Sequence, residues 1–471
     1  MSILLKVTLD CNMRCAYCYE KDTRSLGKHR YYDVDAMLAT ARKLREETGD
    51  TPSLHGGECL LVAKPDLERL LAGIYEMSGQ SGIQTNATLI DDDHIRMFKK
   101  YKTHVGVSID GPWPLNRGRA GEEMTGKILA NIAKLREAGI SVGPIIVLSK
   151  FNATEDKRPA LKDFLVTLKG MGVRGGRLNF VECGNPEIEL SGEEAKECYL
   201  DLADFVLREP GFDYQPFRDI ADNLCGFGLG TCVFTRCDFY ATQAGKAILG
   251  DGSLVSCLKT AKDGQPFLQA EKPHTVRYEI LKAIPREQGG CGGCRYWRIC
   301  YGGCPAEGEA DDWRNKTRYC EAFRAVYELI ENRLKALLPN IHLVTDDPLP
   351  ATPEDEEKDY EERRCNRYSG RPFALMTPEG TGVPSTWRGE ARNNAKRSEQ
   401  GSQQGACDRQ PVPDKPGWRH GDHYDASGTI GRQGGMRSDL QRHSGPGTAP
   451  GQAAGHSDRA HGDYSRHGDS G

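Results

Sequence analysis

The chain has 471 residues, with 67 acidic and 63 basic side chains and a net charge of −4 at pH 7. This length allows about two or three domains, and the small negative charge gives no electrostatic reason to expect nucleic acid or an anionic membrane as a partner. The N-terminus carries no basic leader with a cleavage site, and no apolar run reaches about eighteen residues, so a cytoplasmic protein without a membrane segment is expected.

Strand-like and helix-like segments alternate from residue 3 to about residue 210. The apolar runs predict strands at 3–9, 52–56, 82–86, 104–110, 142–148 and 176–182. Amphipathic segments between them predict helices at 34–47, 65–77, 91–101, 127–137, 159–168 and 193–207. Strand–helix units in series predict an α/β fold, a parallel sheet wound into a complete or partial (β/α)6 barrel, with its chemistry at the C-terminal ends of the strands.

The first strand is followed at once by the cysteine-rich stretch LDCNMRCAYCYE, which contains Cys11, Cys15 and Cys18. Closely spaced thiolates favour zinc or an iron–sulfur cluster. Structural zinc takes four protein ligands, whereas three thiolates on one loop suit a [4Fe–4S] cluster with one iron open to a small molecule. A zinc site completed by His29, or buried cysteines without a metal, are the alternatives.

The C-x3-C-x2-C spacing, with Tyr17 before the third cysteine, resembles that of the radical S-adenosylmethionine (SAM) enzymes. The resemblance implies that the three cysteines hold a [4Fe–4S] cluster whose open iron binds SAM. It also implies an external electron donor such as flavodoxin or ferredoxin, and a 5′-deoxyadenosyl radical that removes a hydrogen atom from the substrate.

The sequence HGGE after the second strand resembles the GGE motif of that family, although Cys59 stands where the family has proline. The resemblance implies that Gly56, Gly57 and Glu58 receive the SAM amino group. Glycine is suited to this position because it lets another group approach the main chain closely.

The segment GVSIDGP after the fourth strand matches a stretch of the same family. The resemblance implies that Ser108 contacts SAM and that Asp110 lies near its ribose. Arg119 is the candidate for binding the SAM carboxylate, and Arg117 is the second candidate.

A second group of cysteines lies between residues 211 and 344, with the spacing C-x14-G-x4-C, a gap, C-x2-C-x5-C-x3-C, a gap, and C. Zinc bound by two of its short pairs is one reading. The order resembles the SPASM domain, which implies two auxiliary [4Fe–4S] clusters that accept electrons or stabilise the domain. By this resemblance one cluster is held by Cys291, Cys294, Cys300 and Cys320, and the other by Cys237, Cys257 and Cys304.

These seven thiolates are one short of the eight that two fully ligated clusters need, about four for each cluster. Either Cys232 is the eighth ligand or one iron stays open; we favour Cys232, with Cys225 in reserve. The isolated cysteines Cys59, Cys183 and Cys198 are predicted to be small buried hydrophobic residues.

The predicted domains are therefore a radical SAM core at 1–210, an auxiliary-cluster domain at 211–344 and a low-complexity tail at 345–471. The tail is rich in Gly, Arg, Asp, Ser and His, so disorder is predicted for it.

The resemblance implies an oxidoreductase that modifies a ribosomally made precursor peptide or protein, for example by a thioether or carbon–carbon crosslink. No leader-binding domain precedes Cys11, so leader recognition is expected from another surface or a separate protein. One alternative is an anaerobic sulfatase-maturating enzyme that forms formylglycine, but Leu258 replaces the aspartate that follows the cysteine of the G-x4-C motif in those enzymes. The other is an iron–sulfur electron carrier or scaffold without radical chemistry.

Overall fold

The computed structural model of the protein describes residues 2–21, 31–227, 234, 236–237, 246–255, 257, 277–351 and 353–365. All of these residues belong to one compact unit, Met1–Cys407. Within this part of the chain, no helix has both the length and the apolar character needed to cross a bilayer.

Seven parallel strands lie side by side in chain order, and this arrangement confirms the predicted α/β partial barrel. The strands are β1 Ser2–Lys6, β2 Thr51–His55, β3 Ser81–Thr85, β4 Thr103–Ser108, β5 Val142–Leu148, β6 Gly175–Phe180 and β7 Asp213–Gln215. A further strand, β8 (Lys246–Ile248), pairs parallel with the free side of β1, and β9 (Leu254–Val255) pairs antiparallel with β8.

The six predicted helices are present between and after these strands. They are α1 Val34–Thr48, α2 Lys64–Ser78, α3 Asp92–Lys100, α4 Glu122–Glu137, α5 Arg158–Gly170 and α6 Gly192–Arg208. Local sequence signals set several of their ends: the Asp91 side chain accepts a 3.1 Å hydrogen bond from the His94 N–H, and Pro65 lies in the first turn of α2. The glycines Gly49 and Gly79 end α1 and α2 with positive φ.

The helices bury their apolar faces against the sheet. Ile3 and Leu5 of β1 are fully buried in the same core cluster as Leu70 and Ile74 of α2. Burial of each such aliphatic side chain stabilises the fold by about 1.5–3 kcal/mol. The shared core therefore holds the strands and helices in fixed positions relative to one another. The sheet therefore holds the loops at its C-terminal edge, where the first cysteines lie.

The cysteine-rich region contains mostly short elements and one long helix. These are α7 Phe217–Leu224, α8 Arg277–Ala283, α9 Trp297–Cys300 and α10 Cys320–Leu337. The long helix α10 packs against α6 of the barrel, where the rings of Phe323 and Tyr199 meet edge to face at 5.7 Å. The two cysteine regions are thereby joined by a packed interface.

The predicted disordered tail begins with ordered structure. A helix, α11, spans Pro353–Cys365, and its Glu356 is buried and accepts hydrogen bonds from Trp297 Nε1 at 2.8 Å and Lys282 Nζ at 2.6 Å. Tertiary contacts thus order a segment that has little hydrophobic periodicity, and the domain boundary at residue 345 stays a prediction. Residues 366–471 lie outside the described part of the chain.

Candidate functional site

The loop that carries Cys11, Cys15 and Cys18 leaves the C-terminal end of β1, as predicted. A buried ion pair joins its two ends: Lys6 Nζ, at the end of β1, lies 2.6 Å from Glu20 Oε1, and both side chains are almost completely buried. Glu20 follows the third cysteine by two residues, and sequence reasoning did not identify it. The pair closes the cysteine loop into a defined turn.

Gly56 and Gly57 pack directly against the backbone that leads to Cys11. The Gly57 N–H donates a 2.7 Å hydrogen bond to the Thr8 carbonyl, and a Cβ on Gly57 would lie only 2.3 Å from the Asp10 carbonyl oxygen. Gly56 has φ = +153°, and its Cβ would lie 2.5 Å from the Thr8 carbonyl oxygen. Glycine is therefore required here for a close approach between two protein loops.

Glu58 is completely buried, and its carboxylate accepts three hydrogen bonds from the protein. The donors are the Leu60 N–H at 3.0 Å, the Thr85 hydroxyl at 2.6 Å and the Asn86 N–H at 2.7 Å. Burial raises its pKa, while these hydrogen bonds lower it and so oppose the shift. In this arrangement the carboxylate joins the loop after β2 to the loop after β3, and its assignment to the SAM amino group stays a prediction.

Asn86 is a residue near the cysteines that sequence reasoning missed. Its Nδ2 lies 3.8 Å from Cys11 Sγ and donates a 2.8 Å hydrogen bond to Asn12 Oδ1. Its Oδ1 accepts hydrogen bonds from the Thr88 N–H and hydroxyl. The position of Asn86 directly after β3, at the edge where the cysteines lie, was the available signal.

Tyr17, Asp110 and Arg119 form one buried group beside Cys15. The Tyr17 hydroxyl donates a hydrogen bond to Asp110, and Arg119 lies 3.3 Å from the other Asp110 oxygen, over the face of the Tyr17 ring and 3.9 Å from Cys15 Sγ. Asp110 also accepts a 2.9 Å hydrogen bond from the Val147 N–H. The three residues, predicted separately from three stretches of the sequence, thus meet in one network.

This network sets the charge around Cys15. Burial alone would lower the pKa of Arg119, but Asp110, Tyr17 and Cys15 raise it, so the guanidinium is positively charged. Burial raises the pKa of the Cys15 thiol to about 11, and Arg119 opposes that rise. A positive charge beside the sulfur favours the thiolate, the form that binds iron.

The remaining predicted residues of the first site lie nearby. Ser108 is the last residue of β4 and is buried. Arg117 is exposed and lies over the Phe151 ring, whereas Arg119 is turned toward the cysteine loop and its buried Nε has no hydrogen-bond partner among the described residues. Of the two arginines, Arg119 is therefore the one that lies at the cysteines, and its binding of the SAM carboxylate stays a prediction.

The structure brings four cysteines of the second group together. They border one small cavity, partly open to solvent, whose lining includes Cys291, Cys294, Cys300 and Cys320. Burial, with neighbouring cysteines of the same set contributing, raises the pKa of the Cys291, Cys300 and Cys320 thiols to about 12. This is the set that the sequence assigned to one auxiliary cluster.

The structure shows the surroundings of two of the three cysteines assigned to the other auxiliary cluster, Cys237 and Cys304. The buried guanidinium of Arg277 donates hydrogen bonds to the carbonyls of Tyr301, Gly302 and Gly303, the three residues between Cys300 and Cys304. Burial lowers the pKa of Arg277, and Cys304 and Cys237 are the first two groups that oppose this shift. Arg277 is thus close to both cysteines and fixes the turn that separates the two cysteine sets.

Three further cysteines bear on this assignment. Cys257 lies two residues beyond β9 and is partly buried, and Cys232 lies outside the described residues. Cys225 caps the end of α7 and packs against the main core, and burial, with Asp222 contributing, raises its pKa to about 12. The ligands of the second auxiliary cluster therefore stay a prediction.

The isolated cysteines have different surroundings. Cys59 and Cys198 are fully buried, whereas Cys183 is partly exposed and packs with Tyr17 and Val181 at the mouth of the barrel. The first two fit the predicted role as small core residues.

A contact path leads from the first cysteine loop to the second cysteine group. Val181, directly after β6, belongs to the same apolar cluster as Tyr17 and Cys15. The Tyr319 hydroxyl donates a 3.1 Å hydrogen bond to the Val181 carbonyl, and Tyr319 directly precedes Cys320. The two cysteine sites are thus linked through three packed residues.

Among the described residues, no three His, Cys, Asp or Glu side chains converge on a position that would hold a single metal ion. The thiolates of an iron–sulfur cube bind separate iron atoms at its corners and so need not converge on one point. Thiolate ligands beside buried donors and a buried cation are the chemistry that such a cluster requires.

Comparisons with known proteins agree with this geometry. Residues 5–163 match the sequence model of the radical SAM superfamily. An uncharacterized protein of Archaeoglobus fulgidus is 25% identical over 344 residues, which cover 67% of this chain and 77% of that protein. A cysteine-type anaerobic sulfatase-maturating enzyme of Clostridium perfringens is 22% identical over 396 residues, which cover 72% of this chain and 99% of the relative.

Solved structures share the fold. The structure described as "Native anSMEcpe with bound AdoMet" superposes with a TM-score of 0.58 at 19% identity, over 72% of this chain and all of that chain. A second structure of the same protein, with bound AdoMet and the Kp18Cys peptide, gives a TM-score of 0.58 at 18% identity, over 72% of this chain and 99% of the other.

Proposed function

Because residues 5–163 are a radical SAM domain, we propose that this chain is a maturase that uses SAM-derived radical chemistry to oxidise a peptide or protein substrate. A radical SAM domain implies a [4Fe–4S] cluster and SAM. The observation that carries the proposal is the buried Tyr17–Asp110–Arg119 network, which places a fixed positive charge and an unpartnered Nε, within the described residues, beside a predicted cluster ligand.

The residues of the first site fit these groups. Cys11, Cys15 and Cys18 would hold the cluster. The Asn86 amide, 3.8 Å from Cys11 Sγ, would donate a hydrogen bond to that cysteine sulfur. The SAM carboxylate would supply the partner that the Arg119 Nε lacks among the described residues. When bound, the cluster and SAM together supply a 5′-deoxyadenosyl radical that removes a hydrogen atom from the substrate.

The chain's own residues orient these groups. Asp110 holds Arg119 and Tyr17 in place, and Gly56 and Gly57 bring a second loop against the cysteine loop, where main-chain groups would receive the SAM amino group. The Lys6–Glu20 pair fixes the ends of the loop. Such preorganisation lowers the cost of holding SAM in a reactive geometry.

Oxidation of a substrate requires that an electron leave after hydrogen removal. We assign this task to the second cysteine region, with auxiliary [4Fe–4S] clusters held by the two cysteine sets. The contact path from Val181 through Tyr319 to Cys320 supports it, because it joins the mouth of the barrel to the cysteine-lined cavity. An external donor such as flavodoxin or ferredoxin would supply the electron that cleaves SAM.

The substrate class that we favour is a ribosomally made precursor peptide that receives a thioether or carbon–carbon crosslink. Leu258 supports this choice, because the sulfatase-maturing pattern has an aspartate at that position. Residue 258 itself lies outside the described part of the chain.

A second candidate is formation of formylglycine from cysteine or serine in a sulfatase. The similarity to the Clostridium perfringens sulfatase-maturating enzyme favours it, since that similarity extends over 99% of the relative. A pure electron carrier would need no radical SAM domain, so the match over residues 5–163 argues against that alternative.

The test uses the full chain, purified and reconstituted without oxygen and supplied with SAM and reductant. With a small peptide encoded next to the enzyme we expect 5′-deoxyadenosine and a product lighter by about 2 Da, the two hydrogens that an oxidative crosslink removes. An aldehyde on a sulfatase peptide, with no change in the precursor peptide, would support the second candidate instead. Cluster loading without any SAM cleavage would contradict both.

A further inference from the structure

The helix α10 presents two side chains to the cysteine-lined cavity and a third to one of the cavity's cysteines. Cys320, Arg324 and Tyr327 are spaced i, i+4 and i+7, so they lie along one face of the helix. Cys320 and Arg324 line the cavity directly, and Tyr327 contacts Cys300, another of its lining cysteines. A face that carries a predicted ligand thus also carries two hydrogen-bond donors.

Tyr327 is buried deeply, and its hydroxyl lacks a well-formed hydrogen bond. The residue is only 1% exposed, and its hydroxyl has no partner of ordinary hydrogen-bond geometry among the described residues. It lies close enough to the Cys300 thiol for the two groups to interact, and burial first, then Cys300, raises the pKa of Tyr327. The Cys300 sulfur is therefore the acceptor within reach of this buried hydroxyl, which would cost about 1–3 kcal/mol if it were left unsatisfied.

The neighbouring tyrosine differs in this respect. Tyr296 also lines the cavity, and its ring packs against that of Tyr327 with centroids 5.2 Å apart. Its hydroxyl, however, donates a 3.1 Å hydrogen bond to Glu331 Oε2. Two tyrosines in one aromatic cluster thus differ in where their hydroxyls point.

Arg324 adds a positive charge on the same face. Its guanidinium pairs with Glu321 at 3.0 Å, while its Nε is buried without a hydrogen-bond partner in the described part of the chain. Burial alone would lower the pKa of Arg324, but Glu321, Cys294 and Cys320 raise it above its ordinary value, which places the guanidinium near two of the lining cysteines.

We propose that the Tyr327 hydroxyl donates a hydrogen bond to a sulfur of the iron–sulfur cluster held by the four cavity cysteines, and that this bond raises the reduction potential of the cluster. Hydrogen bonds and positive charge near the sulfurs stabilise the reduced, more negative cluster. Tyr327 is therefore a tuning residue that suits this cluster to receive an electron. The proposal rests on the auxiliary cluster assigned under the proposed function.

The test is a redox titration followed by electron paramagnetic resonance, in the full chain with Cys11, Cys15 and Cys18 all changed to alanine so that only the auxiliary signals remain. In this background we expect Tyr327→Phe to move the potential of one signal to a more negative value, with iron and sulfide content unchanged. A tenfold change in the reduction equilibrium of a one-electron couple corresponds to about 59 mV. Tyr296→Phe, the matched control, should leave every potential in place.

A second measurement detects the hydrogen bond directly. In heavy water, the background chain with Tyr327 intact should show a deuteron coupled to the reduced cluster in pulsed resonance spectra, and Tyr327→Phe should lack it. Equal shifts in the two tyrosine variants, no shift, loss of iron on Tyr327→Phe, or no auxiliary cluster at all would each overturn the proposal. A chain that loads the cluster and shows the shift but cleaves no SAM would instead overturn the proposed function and leave this inference intact.

Discussion

The hydroxyl of Tyr17 donates a hydrogen bond to the carboxylate of Asp110, 93 residues further along the chain. Tyr17 lies between the second and third cysteines of the first loop, and Asp110 lies just beyond β4. The bond therefore ties the cysteine loop to the middle of the sheet. Because Asp110 also binds Arg119 and the Val147 N–H, one carboxylate organises three elements around Cys15.

Removal of this hydroxyl should loosen the first cluster. A hydrogen bond to a charged group contributes about 1.5–3 kcal/mol, so we expect Tyr17→Phe to release iron from the first site to a chelator several-fold faster than wild type. Tyr32→Phe is the control, because the Tyr32 hydroxyl also binds a carboxylate, that of Asp66 at 3.0 Å, but away from the cysteine loop. Equal iron release from both variants would contradict the role given to Tyr17.

A methyl group at Gly57 should disrupt the contact between the two loops. The Cβ of Gly57→Ala would lie 2.3 Å from the Asp10 carbonyl oxygen, so the backbone must shift and the first site should lose its iron. In Gly126→Ala, within α4, the added Cβ meets nothing within 4 Å. Because alanine is favoured over glycine in a helix by about 0.5–1 kcal/mol, that control should be as stable as wild type or more so. Iron counting on both variants checks the prediction, and full loading of Gly57→Ala would refute it.

The helix α11 should stabilise the cysteine-rich region. Glu356→Ala leaves the buried Trp297 N–H without its acceptor, which costs about 1–3 kcal/mol. Glu362→Ala, at an exposed position of the same helix, should change the free energy of unfolding by less than about 0.5 kcal/mol. Denaturant titrations without oxygen measure both. If the two variants unfold alike, α11 does not stabilise the region in solution.

Stability should fall as the pH drops below the ordinary pKa of histidine, in part because of His55. Burial and the nearby charge of Lys6 lower the pKa of His55 in the folded protein to about 4, from 6.5. The unfolded chain therefore binds the proton first, and stability that is present above pH 6.5 is lost progressively toward pH 4. Between pH 7 and 5.5 this loss amounts to about 1 kcal/mol. Denaturant midpoints should fall over that range in wild type and fall less in His55→Gln, and parallel curves would exclude His55 as the source.

Much of the fold follows from the sequence, because hydrophobic periodicity and helix-end signals act locally. The six long strands and six helices of the barrel were predicted, and Asp91 and Pro65 mark helix starts as expected. The strands β7 to β9 were missed because segments of two or three residues are too short to show hydrophobic periodicity. The helix α11 was missed because its order depends on the buried contact of Glu356 with Trp297, which no local pattern indicates.

The candidate site was only partly predictable from the sequence. Cysteine spacing identified the four residues that border one cavity, because ligands of a cluster must recur at short intervals. The partners of buried carboxylates could not be read in the same way. Glu58 and Asp110 were both assigned to SAM, yet each accepts three hydrogen bonds from protein groups, two of which lie more than 25 residues away for each carboxylate. Asn86 was missed for the same reason, since its neighbours are set by strand order.

The central claim is that the three cysteines after β1 hold a cluster at which SAM is cleaved. The most direct test is to measure 5′-deoxyadenosine formed by the reconstituted, dithionite-reduced chain and by the variant with Cys11, Cys15 and Cys18 changed to alanine, with iron counted in both. We expect SAM cleavage in the wild-type chain only, and a loss of about four irons per chain in the variant, the content of one cube. Zinc in place of iron at this site, or equal cleavage by both proteins, would contradict the account.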